Sequence, residues 1–413
     1  MSDTQDPRPE GTPPGAEGVP YVLPVHYPPP PRPAPSGGSV LGSILKTIGV
    51  MILAGSIGLN ILLLLFLGMV GGLGGGGGGS LPERYHSGTS TAQDKIAIIR
   101  IEGVLMEGML GYAIKQIDEA AADEHVKAVV VRINSPGGSI TASDDLHRRI
   151  QELKTGSNFR QKGGAKTVVV SMGAMAASGG YYIAAPAEWI MAENTTITGS
   201  IGVYAAFPNV AKLARDHGVT LEIIKAGDVK ASGSMFHFMT PQERQLWQDM
   251  VDHAYDRFIQ VVEDGRPVLK DKMREVVLSR EIEDRDLETG KVILGTDGKP
   301  KLVPYVRKRA DGGIYMADEA KKYQLIDEIG YLDAAIKKTR ALANQKSQLT
   351  GDYKVITYER PQTLASMLFG VKQEEPKMKL DGANLAAAAT PRLWFLMPQS
   401  EMAGIVSILG KQD

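Results

Sequence analysis

The chain has 413 residues, a length that allows two or three domains. Its 46 lysines and arginines are matched by 47 aspartates and glutamates, a net charge of −1, which gives no electrostatic ground for binding nucleic acid. There is no cysteine, which suits an oxidising compartment without requiring one.

Residues 1–40 are crowded with proline, including Pro28 to Pro31. Such a segment cannot bury enough apolar surface to offset its conformational entropy, so a disordered tail is expected; a docking site for a proline-binding partner is the alternative. The 23 residues from Ile48 to Val70 then carry no charge. At a rise of about 1.5 Å per residue they span roughly 34 Å, enough to cross a hydrocarbon core. A cleaved signal peptide is disfavoured by that length and by the forty residues upstream. A single-pass anchor over 41–70 is expected. Lys46 before the span, with Glu83 and Arg84 well after it, favours an N-terminus in the cytoplasm. Gly71 to Ser80 is almost all glycine, and 71–93 reads as a flexible linker.

From residue 94 the pattern alternates. Strands are predicted at Lys95–Met106, Ala128–Ile133, Lys166–Met172, Glu188–Ala192, Ile201–Tyr204 and Thr220–Ile224. Helices are predicted at Ala113–Ala122, Ile140–Lys154 and Asn209–His217. A further helix starts at Thr240 as N-cap, with Pro241 first and Glu243 third, a capping box; Trp247, Met250, Val251, Ala254 and Phe258 recur on one of its faces. The alternation predicts an α/β domain with a parallel-rich sheet over 94–345. Residues 280–311 read as a loop or hairpin insertion. Residues 346–413 form an extension whose structure the pattern does not define.

Three features stand out for chemistry: Pro136-Gly137-Gly138, Ser178 within Ala176-Ala177-Ser178-Gly179-Gly180, and Lys230 within Gly227-Asp228-Val229-Lys230. Small residues around Ser178, after a β-branched strand, present a hydroxyl at a turn that a substrate carbonyl can approach. A hydroxyl needs a base. Of the seven histidines only His237 lies in a loop suited to that task. A lysine serves only when its amine is neutral, which for an ordinary lysine is about one molecule in two thousand at pH 7. Taken alone, Lys230 reads as an ordinary solvated loop residue rather than a base.

The ordered set resembles the bacterial signal peptide peptidase A family. It consists of Asn134-Ser135-Pro136-Gly137-Gly138-Ser139, Ala176 to Ala184, Thr198-Gly199-Ser200-Ile201-Gly202-Val203, Gly227 to Lys230 and Met239-Thr240-Pro241. The resemblance covers roughly residues 94–345. It implies a Clp protease/crotonase-like α/β fold, with stacked parallel-rich sheets, flanking helices and one transmembrane helix in front. It also implies Ser178 as nucleophile, Lys230 as general base and Ser200 as the residue that orients the lysine amine, with no cofactor and no metal. The partners implied are peptide substrates such as signal-peptide remnants, the membrane, and further copies of the chain in a ring or dome. The location implied is the bacterial cytoplasmic membrane, with the catalytic domain on the non-cytoplasmic side. In that frame Gly138 and Gly179 supply the backbone N–H groups of an oxyanion hole, and Tyr181 and Tyr182 are packing residues. The chain departs from the family at Val229, where an aromatic residue is common, in Gly313 to Asp318, and in the length of 280–311. A crotonase-like acyl-CoA enzyme and a non-catalytic membrane scaffold are the competing readings.

Overall fold

The computed structural model describes residues 40–74, 80–157, 162, 164–360 and 393–396. The proline-rich tail lies outside the described residues. The chain divides into two units, Met1–Gly75 and Gly76–Asp413.

The described part of the first unit is helix α1 (Val40–Gly74). Within it Gly42–Leu63 is long and apolar enough to cross a membrane. Two of its polar side chains are satisfied by the helix itself: Thr47 Oγ1 donates to the Ser43 carbonyl and Asn60 Nδ2 to the Ser56 carbonyl, 2.9 and 2.8 Å. The helix continues four residues into the glycine stretch expected to be a linker. A glycine costs a helix about 1 kcal/mol, which does not at once stop one already propagating.

The second unit is a parallel-rich α/β domain. It begins with β1 (Glu83–Gly88), β2 (Lys95–Glu102), α2 (Gly111–Ala122), β3 (Val126–Ser135), the short β4 (Gly137–Ser139) and α3 (Ile140–Thr155). Strand β5 (Thr167–Ala177) then runs into α4 (Gly179–Ala184), followed by β6 (Trp189–Ala192), β7 (Ile197–Gly199) and β8 (Tyr204–Ala205). Next come α5 (Ala211–Asp216) and the long α6 (Pro241–Gly265). The capping box is formed as read: Thr240 Oγ1 accepts from the Glu243 N–H, and the Glu243 carboxylate accepts from the Thr240 N–H. Beyond α6 lie the hairpin β9 (Val276–Glu283) and β10 (Leu302–Lys308), then β11 (Ile314–Met316), α7 (Ala317–Lys322), β12 (Glu328–Ile329) and α8 (Leu332–Gln345). Strands β13 (Lys354–Tyr358) and β14 (Leu393–Leu396) come last.

The main sheet has the order β1-β13-β2-β3-β5-β6-β12, with β7 paired to the end of β5 and β11 to β7. Successive side chains of a strand point to opposite faces. Ile96, Ile98, Val130 and Val169 accordingly pack with Ala335 and Ile336 of α8 on one face. Ala97, Ile99, Val129, Val131, Val168 and Val170 pack with α2, α3, α4 and the second half of α6 on the other. Burial on both faces is why these strands read as unbroken β-branched runs. The domain holds one large sheet and two small ones.

Three elements differ from the sequence expectation. Thr220–Ile224 is not a strand: no described strand lies beside it, and Leu221, Ile223 and Ile224 are exposed. Of Ile201–Tyr204 only Tyr204 is extended, in β8, because the chain turns at Ser200 and packs Gly202 so closely on Gly312 that a Cβ there would lie 2.9 Å from its Cα. The sheet also reaches Tyr358, since β13 inserts parallel to β2 and antiparallel to β1.

Candidate active site

Ser178 sits where β5 becomes α4, and its hydroxyl is buried without a hydrogen-bond partner among the described residues. Its backbone has φ 54° and ψ −115°. A non-glycine residue held at positive φ costs on the order of 1–3 kcal/mol and persists only where its surroundings enforce it. They do so here: the Ser178 N–H donates to the Gly199 carbonyl at 2.8 Å, and the Ser178 carbonyl accepts from Tyr181 and Tyr182. Both tyrosines are buried and tied down. Tyr181 donates to the Leu325 carbonyl and Tyr182 to Asp144, each at 2.7 Å, and Tyr182 stands edge-on to His147 and Phe258. They pack the floor under the turn, as read from the sequence.

Ser200 is drawn to the same place by the sheet. Strands β5 and β7 are parallel with Ala177 opposite Gly199, so the two serines leave neighbouring strand ends side by side. Ser200 also has positive φ, 50°, is 4% exposed, and donates its N–H to the Gly313 carbonyl.

The Pro-Gly-Gly loop closes on the same turn. A Cβ on Gly180 would lie 2.7 Å from the Ser135 carbonyl, and one on Gly138 would collide with the Leu105 backbone. The Gly137 carbonyl and Ser139 N–H are both taken by Leu105. Alternation along the strand therefore directs the Gly138 N–H and carbonyl to the opposite side, where β14 lies. There β14 runs antiparallel to β4, with Phe395 opposite Gly138 and Leu396 opposite Gly137. Its other edge pairs antiparallel with β8, Trp394 opposite Tyr204. An extended segment thus occupies a slot between two short strands, of which β4 packs against α4, the helix that follows Ser178. Gly179, the first residue of α4, has no intrahelical acceptor for its N–H.

No hydrogen bond joins Lys230 to Ser178 among the described residues. Lys230 is exposed, and its amine makes no hydrogen bond or ion pair among the described residues. It lies in the irregular stretch 218–240 between α5 and α6, where Val219, Leu221, Ile224 and Phe238 are exposed, Ile224 at 94%. None joins His237 to Ser178 either; the His237 Nε2 is 2.9 Å from Glu243. Sequence reading treated Glu243 only as a helix cap and did not single out β13 or β14; the apolar Leu393-Trp394-Phe395-Leu396 run was the available signal for the last.

A parallel-rich sheet that delivers a buried serine at a strained strand-to-helix turn, with a glycine on either side of the reaction space, has the parts of a serine hydrolase. Comparison with known proteins gives the particular class: residues 160–282 match the model of peptidase family S49. "Protease 4" of Haemophilus influenzae is 33% identical over 260 residues, 61% of this chain and 35% of that protein. "Protease 4" of Salmonella typhi is 31% identical over 259 residues, 61% and 35%. "Serine protease SPPA, chloroplastic" of Arabidopsis thaliana is 31% identical over 304 residues, 70% and 38%. The resemblance to the signal peptide peptidase A family therefore holds, and residues 160–282 are similar to peptidase family S49. The chain spans little more than a third of the length of these relatives. Among solved structures, a ClpP1 mutant from Listeria monocytogenes aligns at TM-score 0.31 and 14% identity, covering 57% of this chain and 91% of that one.

Proposed function

We propose that the protein is a membrane-anchored serine endopeptidase that cuts extended apolar peptides, signal-peptide remnants among them, with Ser178 as nucleophile and Lys230 as general base. The observation that carries this reading is the slot between β4 and β8, filled on both edges by an extended strand. A peptide held the same way presents its carbonyl to Ser178 by main-chain pairing, whatever its side chains. Lys230 takes the Ser178 proton as Oγ attacks the carbonyl carbon. The oxyanion is met by the N–H groups of Gly138 and Gly179, each worth about 10²–10³ in rate. The lysine returns the proton to the leaving amine, and water then hydrolyses the acyl-enzyme by the same route. Ser200, beside Ser178, orients the amine.

Lys230 is exposed on an apolar face, and the Ser178 hydroxyl has no hydrogen-bond partner among the described residues. A second copy packed over 213–250 would bury that face and bring its own lysine to the serine, so the working enzyme in this reading is an assembly. Burial there also desolvates the ammonium, which favours the neutral, basic form. Helix α1 is the anchor in this reading, with the second unit on the non-cytoplasmic side.

The test is the detergent-solubilised full chain with a signal-peptide substrate and a fluorophosphonate. Cleavage, together with labelling at Ser178 that is lost in Ser178→Ala, is expected. Labelling elsewhere, or turnover of an acyl-CoA instead of the peptide, would overturn the reading.

A further inference from the structure

The stretch that carries Lys230 has no regular structure of its own, yet both of its flanks are tied to one short piece of α6. Glu243 is fully buried, while its neighbours Pro241, Gln242, Arg244 and Gln245 are all exposed. A carboxylate that only capped a helix could stay in solvent; this one reaches further. Oε2 accepts from the Thr240 N–H and lies 2.9 Å from His237 Nε2, both just after Lys230 in the chain. Oε1 lies 3.5 Å from the Lys225 ammonium, just before it. Lys225 in turn donates to the Asp228 carbonyl at 2.5 Å, within the Gly227 to Lys230 turn. These contacts hold the carboxylate ionised, well below the usual range at about 2, so His237 Nε2 is the protonated nitrogen in its bond.

One helical turn further on, Trp247 Nε1 donates to Ser232 Oγ at 2.6 Å, two residues beyond Lys230. Its ring packs on Phe207, 4.6 Å between centroids. The outer end of the stretch is pinned by Asn209 and Val210, which donate to the His237 and Met235 carbonyls. Residues i and i+4 of a helix share a face. Glu243 and Trp247 thus form one edge against which the whole 225–240 stretch is laid.

We propose that Glu243 and Trp247 are positioning residues for Lys230: they fix the stretch from both flanks, so that the amine arrives at the nucleophile in one geometry. This rests on Lys230 being the base. Neither residue touches the amine; each acts by removing freedom from the backbone that carries it, and a misplacement of about 1 Å at a reacting group costs on the order of 10²-fold in rate.

The experiment uses the full chain in detergent and the variants Glu243→Gln, Trp247→Phe and Lys230→Ala. Gln keeps an acceptor for the Thr240 N–H, and Phe keeps a ring on Phe207, so both variants retain the fold. Glu243→Gln should lower kcat, and the rate of fluorophosphonate labelling at Ser178, by about 30-fold, and Trp247→Phe by about 5-fold. KM should stay within about two-fold and the melting midpoint within about 3 °C of wild type in both. Wild-type kcat in Glu243→Gln, beside an inactive Lys230→Ala, overturns the clamp and leaves the lysine base standing. Full turnover by Lys230→Ala overturns the lysine base itself. A loss of kcat that comes with a matching rise in KM or a large fall in melting midpoint makes Glu243 a structural residue only.

Discussion

The two halves of the candidate site are made differently. Ser178 and Ser200 stand at the ends of paired strands, buried, with strained backbones enforced by main-chain hydrogen bonds: their N–H groups donate to the Gly199 and Gly313 carbonyls, and the Ser178 carbonyl accepts from Tyr181 and Tyr182. Lys230 stands on an exposed irregular stretch held by side chains of α6 and, at its outer end, by Asn209 and Val210. Helix α6 itself divides in the same way. Phe258, Ile259, Val261 and Val262 are in the core, whereas Leu246 and Met250 in the first half face solvent. The contrast teaches that strand pairing builds a buried, strained turn at Ser178, whereas Lys230 lies on an exposed surface, which the proposed assembly would make interior.

The sharpest way to break that comparison is to remove each half. Ser178→Ala and Lys230→Ala should each lower peptide turnover by at least about 10³-fold, with circular dichroism and assembly size near wild type. A Lys230 variant that keeps its activity would leave the site wholly within the rigid half. Next in size is a test of association. Ile224→Asp puts a charge on the most exposed apolar side chain of the Lys230 face. In the proposed assembly it should shift the sedimenting species towards monomer and reduce activity by about 10²-fold, because burying an unpaired carboxylate is costly. A fully active monomer would show that the lysine reaches Ser178 in its own chain.

Ser200→Ala should cost about 10-fold in kcat, since it orients the base without supplying the proton acceptor. A smaller effect, and of opposite sign, is expected on ending the chain at Arg392. Strand β14 then no longer competes for the slot as a tethered, high-concentration occupant. The kcat/KM for a short peptide should rise by about 3- to 10-fold, and an unchanged value would mean that β14 leaves the slot freely during turnover.

The least effect on turnover is expected from His147, which belongs to the rigid half. Burial against Tyr182 holds it down to about 4. Its folded-state value lies below the unfolded one, so it costs nothing above pH 6.5. As pH falls from 6.5 to 4 the unfolded chain binds the proton first and stability declines, by about 2–3 kcal/mol. Chemical denaturation across that range should show the decline, and His147→Phe should flatten it without altering kcat at pH 8.

Most of the sheet and all three small-residue motifs were legible in the sequence. Strands buried on both faces leave unbroken Val and Ile runs, as at Val129 to Val131 and Val168 to Val170, and turns that admit only small side chains leave Gly and Ser. The capping box at Thr240 was legible because its partners are three residues apart. What could not be read depends on contacts across long separations. Val355, Ile356 and Thr357 are as β-branched as any strand. That they pair beside Ile96, Ala97 and Ile98 follows from the geometry of the finished sheet.

The amino-acid sequence by itself determined the apolar span, the α/β alternation, the serine at its turn and the S49 resemblance, since each rests on local composition and short spacings. Only the tertiary structure decided that Ser178 and Ser200 become neighbours, through the pairing of Ala177 with Gly199. It also decided that Thr220–Ile224 finds no ladder, that Glu243 turns from a cap into the tie of a whole loop, and that β14 lies along the Gly-Gly strand. These outcomes are set by which surfaces and strand edges remain free once the core has packed, and the order of residues along the chain does not reveal that.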